Sequence, residues 1–351
     1  MKTNFNQTGS WRVFLKGAAV VCLSGFPVTF ISTTPMPAGE PVVVKLPAGV
    51  TSTEIQRALD ALPESGGEVV LPAGRIEVCQ PIILSRDNQT FRGAGAATIL
   101  HLADDANCPV IILGEPLNIP TQTIRHLKVT GFFIDGNRAH QQRELWRLTG
   151  EGSEVRNNGI TVQNVSDSTV ENVTCARCRS GGLVTTRDVR RLTVRNLTAF
   201  GNEFDGLACY QTEDCLFTGL FLHDNPGAGI SLDLDFNDNV VSNAVLTAND
   251  LGVFMRASRD NQFYNVSIES SRHHGVFMAH AERLTTGGWE PVPRTECALN
   301  SFTNLTARDC GGAAFRINNP SCTNNVIVRA KFDGNLQGGL SLAQPDLVMV
   351  R

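Results

Sequence analysis

No stretch of this 351-residue chain is both long and unbroken enough in apolar residues to make a comfortable transmembrane helix. Charge of one sign is also scarce. A net charge of -4, with 18% charged residues, gives no electrostatic case for a nucleic-acid partner or for insertion into an anionic membrane. Zinc-site spacing is missing, because Cys175-x-x-Cys178 has no second pair to complete it. There are only three tryptophans. The 42% apolar content nevertheless excludes a disordered chain.

Residues 1–41 differ from the rest. Lys2, Arg12 and Lys16 precede an apolar stretch from Gly17 to Ile31, interrupted by Ser24, Gly25 and Pro27, and Pro35, Pro37 and Pro41 follow. This is the layout of a secretory signal peptide with a long basic region, and it implies a secreted, periplasmic or cell-surface protein. A disordered leader is the competing reading, since no A-x-A site is obvious and Cys22 follows a poor lipobox.

From residue 42 to 351 the chain reads as one domain. Gly159, Gly182, Gly206, Gly229, Gly252 and Gly275 recur at intervals of 23, 24, 23, 23 and 23, and Gly312 and Gly339 follow at 37 and 27. A period in this range marks units that bury their apolar faces only by stacking. Alternating text follows the glycines, as in Gly252-Val-Phe-Met-Arg256 and Gly275-Val-Phe-Met-Ala279, which is a strand with one buried face. The unit is too short for a strand plus crossover helix. The fold class is therefore all-β, a single-stranded parallel β-helix.

Asn172, Asn196, Asn243, Asn265 and Asn304 form a second column, with Gly219 and Arg329 filling the remaining rungs. Asparagine tolerates left-handed turns, and its amide can bond to the same residue one coil away. Several also read as N-x-Ser/Thr, but an amide ladder explains the period. Thr51-Ser-Thr-Glu54 is a capping box before Ile55, Ala58, Leu59 and Leu62 at helical spacing, so a short helix, ended by Gly66-Gly67, covers the open end of the first coil. Strands follow near Glu68–Leu71, Ile82–Leu84 and Thr90–Arg92. The cysteines, Cys175 and Cys209 among them, fall at inward positions and read as core residues. One bridge near the Cys310/Cys322 end is compatible with this.

Ile55-Gln-Arg-Ala-Leu-Asp60, Gly67-Glu-Val-Val-Leu-Pro-Ala-Gly74, Thr90-Phe-Arg-Gly-Ala-Gly95, Gly131-Phe-Phe-Ile-Asp-Gly136 and Asn202-Glu-Phe-Asp-Gly-Leu207 together resemble the pectate lyase superfamily of right-handed parallel β-helix proteins. Within it, the repeats are most similar to mannuronan C5-epimerases and related carbohydrate-active members. The resemblance spans most of residues 42–340 and implies fold more than activity. The Asp-Pro-His motif that alginate epimerases carry on one strand does not occur, and Ser231-Leu232-Asp233 stands at the comparable place.

Two insertions, 137–157 with Trp146 and 281–296 with Trp289, flank one strand column, and long loops beside a rigid scaffold make a groove. Tryptophan there offers a flat face to a sugar ring, although both loops can equally pack on the solenoid. The outward residue four after each glycine is Gln163, Thr186, Tyr210, Asp233, Arg256, Ala279, Arg316 and Ala343. Coils stack about 4.8 Å apart, so Tyr210, Asp233 and Arg256 are neighbours. His280 lies one residue beyond Ala279, Asp205 and His274 lie at the near edge, and Phe254 and Phe277 form an apolar platform.

On a uronate, Arg256 or Arg316 can pair with the carboxylate, and Tyr210 and His280 can serve as base and acid for β-elimination or C5-epimerisation. The sequence thus points to a polysaccharide lyase or epimerase. Asp233 and Asp235, about 6.6 Å apart along a strand, suit an inverting hydrolase instead. A non-catalytic carbohydrate-binding or surface β-helix is the third reading, with Asp233 and Arg256 a plain ion pair. No cofactor is required. Asp233-x-Asp235-x-Asn237-Asp238 gathers hard oxygens that can hold Ca2+, or that simply make salt bridges and turns.

Overall fold

The structure is a computed structural model that describes residues 42–142, 156–280 and 295–351, and the backbone of 20–23 and 26–29. Val20–Leu23 pairs antiparallel with Phe26–Thr29. From Val42 onward the described residues form a parallel solenoid whose turns feed two fourteen-stranded sheets. The first sheet runs through β1 (Ile82–Leu84), β2 (Ile111–Leu113), β3 (Ile160–Gln163), β4 (Leu183–Thr186), β5 (Leu207–Glu213), β6 (Ala228–Asn237), β7 (Leu251–Arg256), β8 (Val276–Ala279), β9 (Phe315–Ile317) and β10 (Leu340–Leu342). The second sheet lies behind it and runs from Val42–Lys45 to Val348–Val350.

Register explains the glycine period. Ile160, Leu183, Leu207, Ile230, Val253 and Val276 pair in one inward column, and all are fully buried. The glycine before each of them touches the next coil. A Cβ on Gly182 would lie 2.6 Å from the carbonyl oxygen of Gly206, and one on Gly252 would lie 2.4 Å from that of Gly275. Only a residue without a side chain permits that approach. Between the sheets the core is aromatic toward the C-terminal end, where Phe263 and Phe302 stack with centroids 4.4 Å apart.

Above Gly275 the expected register fails. Val276 pairs with Phe315, 39 positions on, whereas the step from Val253 to Val276 is 23. Ala314, not Gly312, therefore continues the column, and Gly312 instead lies under His274, whose Nδ1 a Cβ there would meet at 2.3 Å. The coil is two residues longer than the glycines suggest.

The outer asparagine column is present. Asn172, Asn196, Gly219, Asn243, Asn265, Asn304 and Arg329 all have φ between 54° and 67°. Nδ2 of Asn196 donates to Oδ1 of Asn172 at 2.9 Å, and Nδ2 of Asn304 donates to Oδ1 of Asn265 at 2.9 Å. Two further ladders, fully buried, are not anticipated by that column. Asn202–Asn225–Asn249 and Asn239–Asn261–Asn300–Asn325 each accept a backbone N–H from the coil before and donate to the carbonyl groups around them. They satisfy turn groups that no strand reaches.

The helix α1 spans Ser52–Asp60 with the Thr51/Glu54 capping box formed, and Ile55, Ala58 and Leu59 seal the first coil. It stops at Asp60, with Ala61 as its cap, rather than running to Gly66. All nine described cysteines are free, and seven of them are buried. Cys310 and Cys322 are not bridged. The rung neighbour of Cys322 is Cys297, whose N–H donates to its Sγ at 3.4 Å.

Candidate functional site

Three residues of the first sheet meet as the sequence suggests. Tyr210 on β5 pairs in register with Asp233 on β6, and the Nε of Arg256 on β7 donates to both oxygens of Asp233, at 3.0 and 2.8 Å. The Nη2 of Arg256 makes a further close contact with the same carboxylate. The Asp233 side chain is only 4% exposed while that of Arg256 is 26% exposed, so the aspartate is an anchor and the guanidinium is the part that reaches solvent. The Arg256 guanidinium also lies 5.9 Å from the Phe254 ring.

Asp205 sits at the near edge, where its Oδ1 accepts the N–H of Ala228 at 2.7 Å. Burial, reinforced by the charge of Asp233, pushes its carboxyl up to about 6, against the opposing pull of the Ala228 N–H and Arg156.

The corrected register moves Arg316. It pairs with Phe277 and Ser341, two positions from the Tyr210 column, and Asn318 is the residue that falls four after Ala314. Phe254 and Phe277 are adjacent, with centroids 5.9 Å apart, and His274 lies 5.4 Å from Phe277. Nη1 of Arg316 donates to Oγ of Ser341 at 2.9 Å, and no acidic partner of Arg316 is present among the described residues. Nδ1 of His274 accepts the N–H of Ala313 at 2.9 Å. Burial, then the Arg316 guanidinium and His273, hold its imidazole below the ordinary value, so the ring is neutral at pH 7.

The five expected catalytic residues therefore do not form one centre. Tyr210 and Arg316 are four coils apart, roughly 19 Å at about 4.8 Å per coil. His280 is three coils from Tyr210, is exposed, and has its Nδ1 3.3 Å from Oγ of Ser321. It shares no proton with the Tyr210 group.

Asp235 also leaves the expected arrangement. Opposite the Tyr210–Thr212 step, β6 carries one extra residue before Phe236, and Leu234 and Asp235 both adopt positive φ, 51° and 68°. This bulge breaks the extended strand between Asp233 and Asp235, so they do not face each other across one strand as the hydrolase pairing required. The same break disperses the carboxylates proposed for Ca2+. Asp233 bonds Arg256, Asn237 accepts the N–H of Arg259, and no three metal-ligating side chains converge among the described residues. Trp146 and Trp289 lie outside the described residues. The residue whose chemistry the sequence under-read is Asp205, placed at the groove edge but not recognisable from spacing as a carboxyl with a raised proton affinity.

Residues 117–268 match a family model described as "Right handed beta helix region". No curated protein sequence matches the chain. Among solved structures, the A-module of the Azotobacter vinelandii mannuronan C-5 epimerase AlgE4 is similar at 16% identity and a TM-score of 0.54, covering 87% of this chain and 97% of that one. An endo-xylogalacturonan hydrolase from Aspergillus tubingensis is similar at 14% identity and a TM-score of 0.56, covering 88% and 93%. The ORF18 protein of Geobacillus virus E2 is similar at 13% identity and a TM-score of 0.63, covering 95% and 68%. At these identities the likeness is one of fold, shared by proteins whose names describe different activities. The match and the coil-on-coil register together make this chain a right-handed parallel β-helix.

Proposed function

We propose that the protein is an exported enzyme that binds a uronate-containing polysaccharide along the outward face of β5 to β10 and acts on it by β-elimination or C5-epimerisation. The observation that carries the substrate class is the pairing of Arg316, with no acidic partner among the described residues, with the Phe254–Phe277 platform beside it. A cation next to an apolar aromatic surface suits a sugar ring that bears a carboxylate. The sheet then offers a second cation, Arg256, two coils away, so binding groups repeat along the axis as anions do in such a polymer.

Reaction is assigned to the Tyr210 group. Asp233 fixes the Arg256 guanidinium, which stabilises the charge that grows on the uronate carboxylate when the C5 proton leaves. Tyr210, one rung away, takes the C5 proton as a phenolate; in elimination it passes that proton to O4 as the C4–O4 bond breaks, and in epimerisation water returns a proton to C5 from the opposite face. Arg316, His274, Phe254 and Phe277 bind units further along the chain, and Asp233 acts as a positioning residue.

A second reading, inverting hydrolysis, is favoured by one observation: Asp205 holds its proton up to about 6, while Asp233 is paired with the Arg256 guanidinium. A pair of carboxyls pushed apart in this way is how acid and base roles divide. Incubation with uronate polymers separates the readings. An unsaturated product absorbing in the far ultraviolet, lost in Tyr210→Phe and kept in Asp205→Asn, supports elimination. Reducing ends without that absorbance, lost in Asp205→Asn, support hydrolysis. No product and no binding on any uronate polymer overturns both.

A further inference from the structure

Beyond the left-handed corner that follows Tyr210, the surface opens into a groove of about 560 Å3, lined by residues of β5 and β6, of the corners after β3 and β4, and of the segment 119–123. Its outer wall is built rather than loose. Glu115 accepts N–H groups from Thr121 and Gln122, Nε2 of Gln163 donates to the carbonyl of Leu117 at 2.9 Å, and Oγ1 of Thr123 donates to Oδ1 of Asn164 at 2.8 Å.

The corner itself is altered here. Asn164, Gln211 and Ala257 turn it with a single positive-φ residue, but Arg187-Asp188 and Leu234-Asp235 use two, which gives each of these coils an extra residue at the groove. Leucine at a φ of 51° is costly, and such strain persists where the surroundings over-determine it.

The lining chemistry is specific. Gln211 contributes a buried Oε1 with no hydrogen-bond partner among the described residues. Arg190 bridges Asp188 and Glu213, at 2.8 Å to each. Two arginines and three carboxylates line the groove, so their formal charge is slightly negative. Burial and the nearby Asp188, Asp214 and Asp238 already hold the Glu213 carboxyl above its ordinary value, against Arg190, so another anion is unwelcome there. Planar amide and carboxylate groups offering donors and acceptors together suit a ligand made of hydroxyl groups.

We infer that this groove is a subsite for a neutral glycosyl branch of the polysaccharide. The inference rests on the reading that the main chain runs along the β5 to β10 face. A backbone so placed follows the solenoid axis, whereas the groove lies to one side of it, across the corner at Gln211. The sugar that enters it must leave the axis, as a branch does. Gln211 is half-buried as a residue, and a rotamer change of its amide brings the unpartnered Oε1 to a hydroxyl of that sugar.

The test measures binding by calorimetry to three probes: a linear uronate oligosaccharide, the same backbone carrying single neutral pentose or hexose branches, and the neutral oligosaccharide alone. The variants are Gln211→Asn and Asp235→Asn, both of which keep a residue type tolerant of the left-handed corner. Wild type is expected to prefer the branched probe by about three- to tenfold, the range of one or two hydrogen bonds, and Gln211→Asn to reduce that preference to within twofold. Equal affinity of wild type for branched and linear probes overturns the inference. If no uronate probe binds but the neutral one does, and the variants weaken it, the groove stands while the uronate reading of the main face falls. If the neutral probe binds equally to wild type and variants, with no branch preference, the groove is not a sugar site.

Discussion

The two sheets of this solenoid carry the same kind of cross-coil ion pair in opposite settings. On the second sheet, Arg308 and Glu269 meet at 2.7 Å with side chains 52% and 39% exposed. On the first, Arg256 meets Asp233 with the aspartate 4% exposed. The former is a solvated rung, compensated by water on both partners and worth little. In the latter the carboxylate has given up most of its water, so the guanidinium has to compensate for that lost hydration. Charge ladders are ordinary on β-helix surfaces, and burial of one partner is what marks a rung as more than ordinary.

Removing the arginine on each sheet tests the difference directly. Arg256→Ala is expected to cost about 3–5 kcal/mol in denaturant unfolding, because it takes the cation away from a buried carboxylate, and Arg308→Ala to stay within about 0.5 kcal/mol. Similar small losses at both sites would show that the Asp233 setting is no different from the surface. The asparagine ladders give a milder version of the same contrast. Asn225→Ala leaves buried backbone groups unpaired and should cost about 1–3 kcal/mol, whereas Asn196→Gly, which keeps the left-handed turn as Gly219 does, should change stability by a few tenths. Arg316→Ala should weaken binding of a uronate oligosaccharide about tenfold without altering the unfolding midpoint, as expected for a charge-assisted contact to ligand alone. A separate effect concerns pH. Asp205 has a folded value of about 6 against 3.8 ordinarily, so the folded state holds the proton more tightly. Its contribution to stability is complete below about pH 3.8 and is lost as pH rises through about 6. Asp205→Asn should flatten that part of the profile, and an unchanged slope in thermal melts would place the carboxyl in water.

Much of the scaffold was legible because stacking repeats one local rule. The glycines appear where a Cβ would strike the next coil, and Gly219 and Arg329 were recognisable as rungs of the asparagine column although neither is asparagine. The error above Gly275 was avoidable. Asn265 to Asn304 is a step of 39, the true coil length, while Gly275 to Gly312 is 37. Gly312 answers to contact with His274 and not to the strand column, so its spacing carried different information. The buried ladders repeat at 23 and 24 for Asn202, Asn225 and Asn249, and the same counting would have found them. The bulge at Leu234-Asp235 was not recoverable in this way. The glycine step from Gly229 to Gly252 stays at 23, and only the asparagine column, with Gly219 to Asn243 at 24 and Asn243 to Asn265 at 22, carries a trace of the extra residue without saying which corner holds it. The proton affinity of Asp205 was hidden for another reason, since it arises from desolvation by residues that come together only in the folded coil.

The long coil between β8 and β9 shows what this architecture tolerates. Sixteen additional positions enter one coil, yet Phe315 resumes the inward column above Val276 as though nothing intervened. Because each layer leans only on the layers above and below, length can be added at one level without disturbing chemistry two levels away. New surface features can therefore arise here by lengthening single coils, with the Tyr210–Asp233–Arg256 rungs left in place.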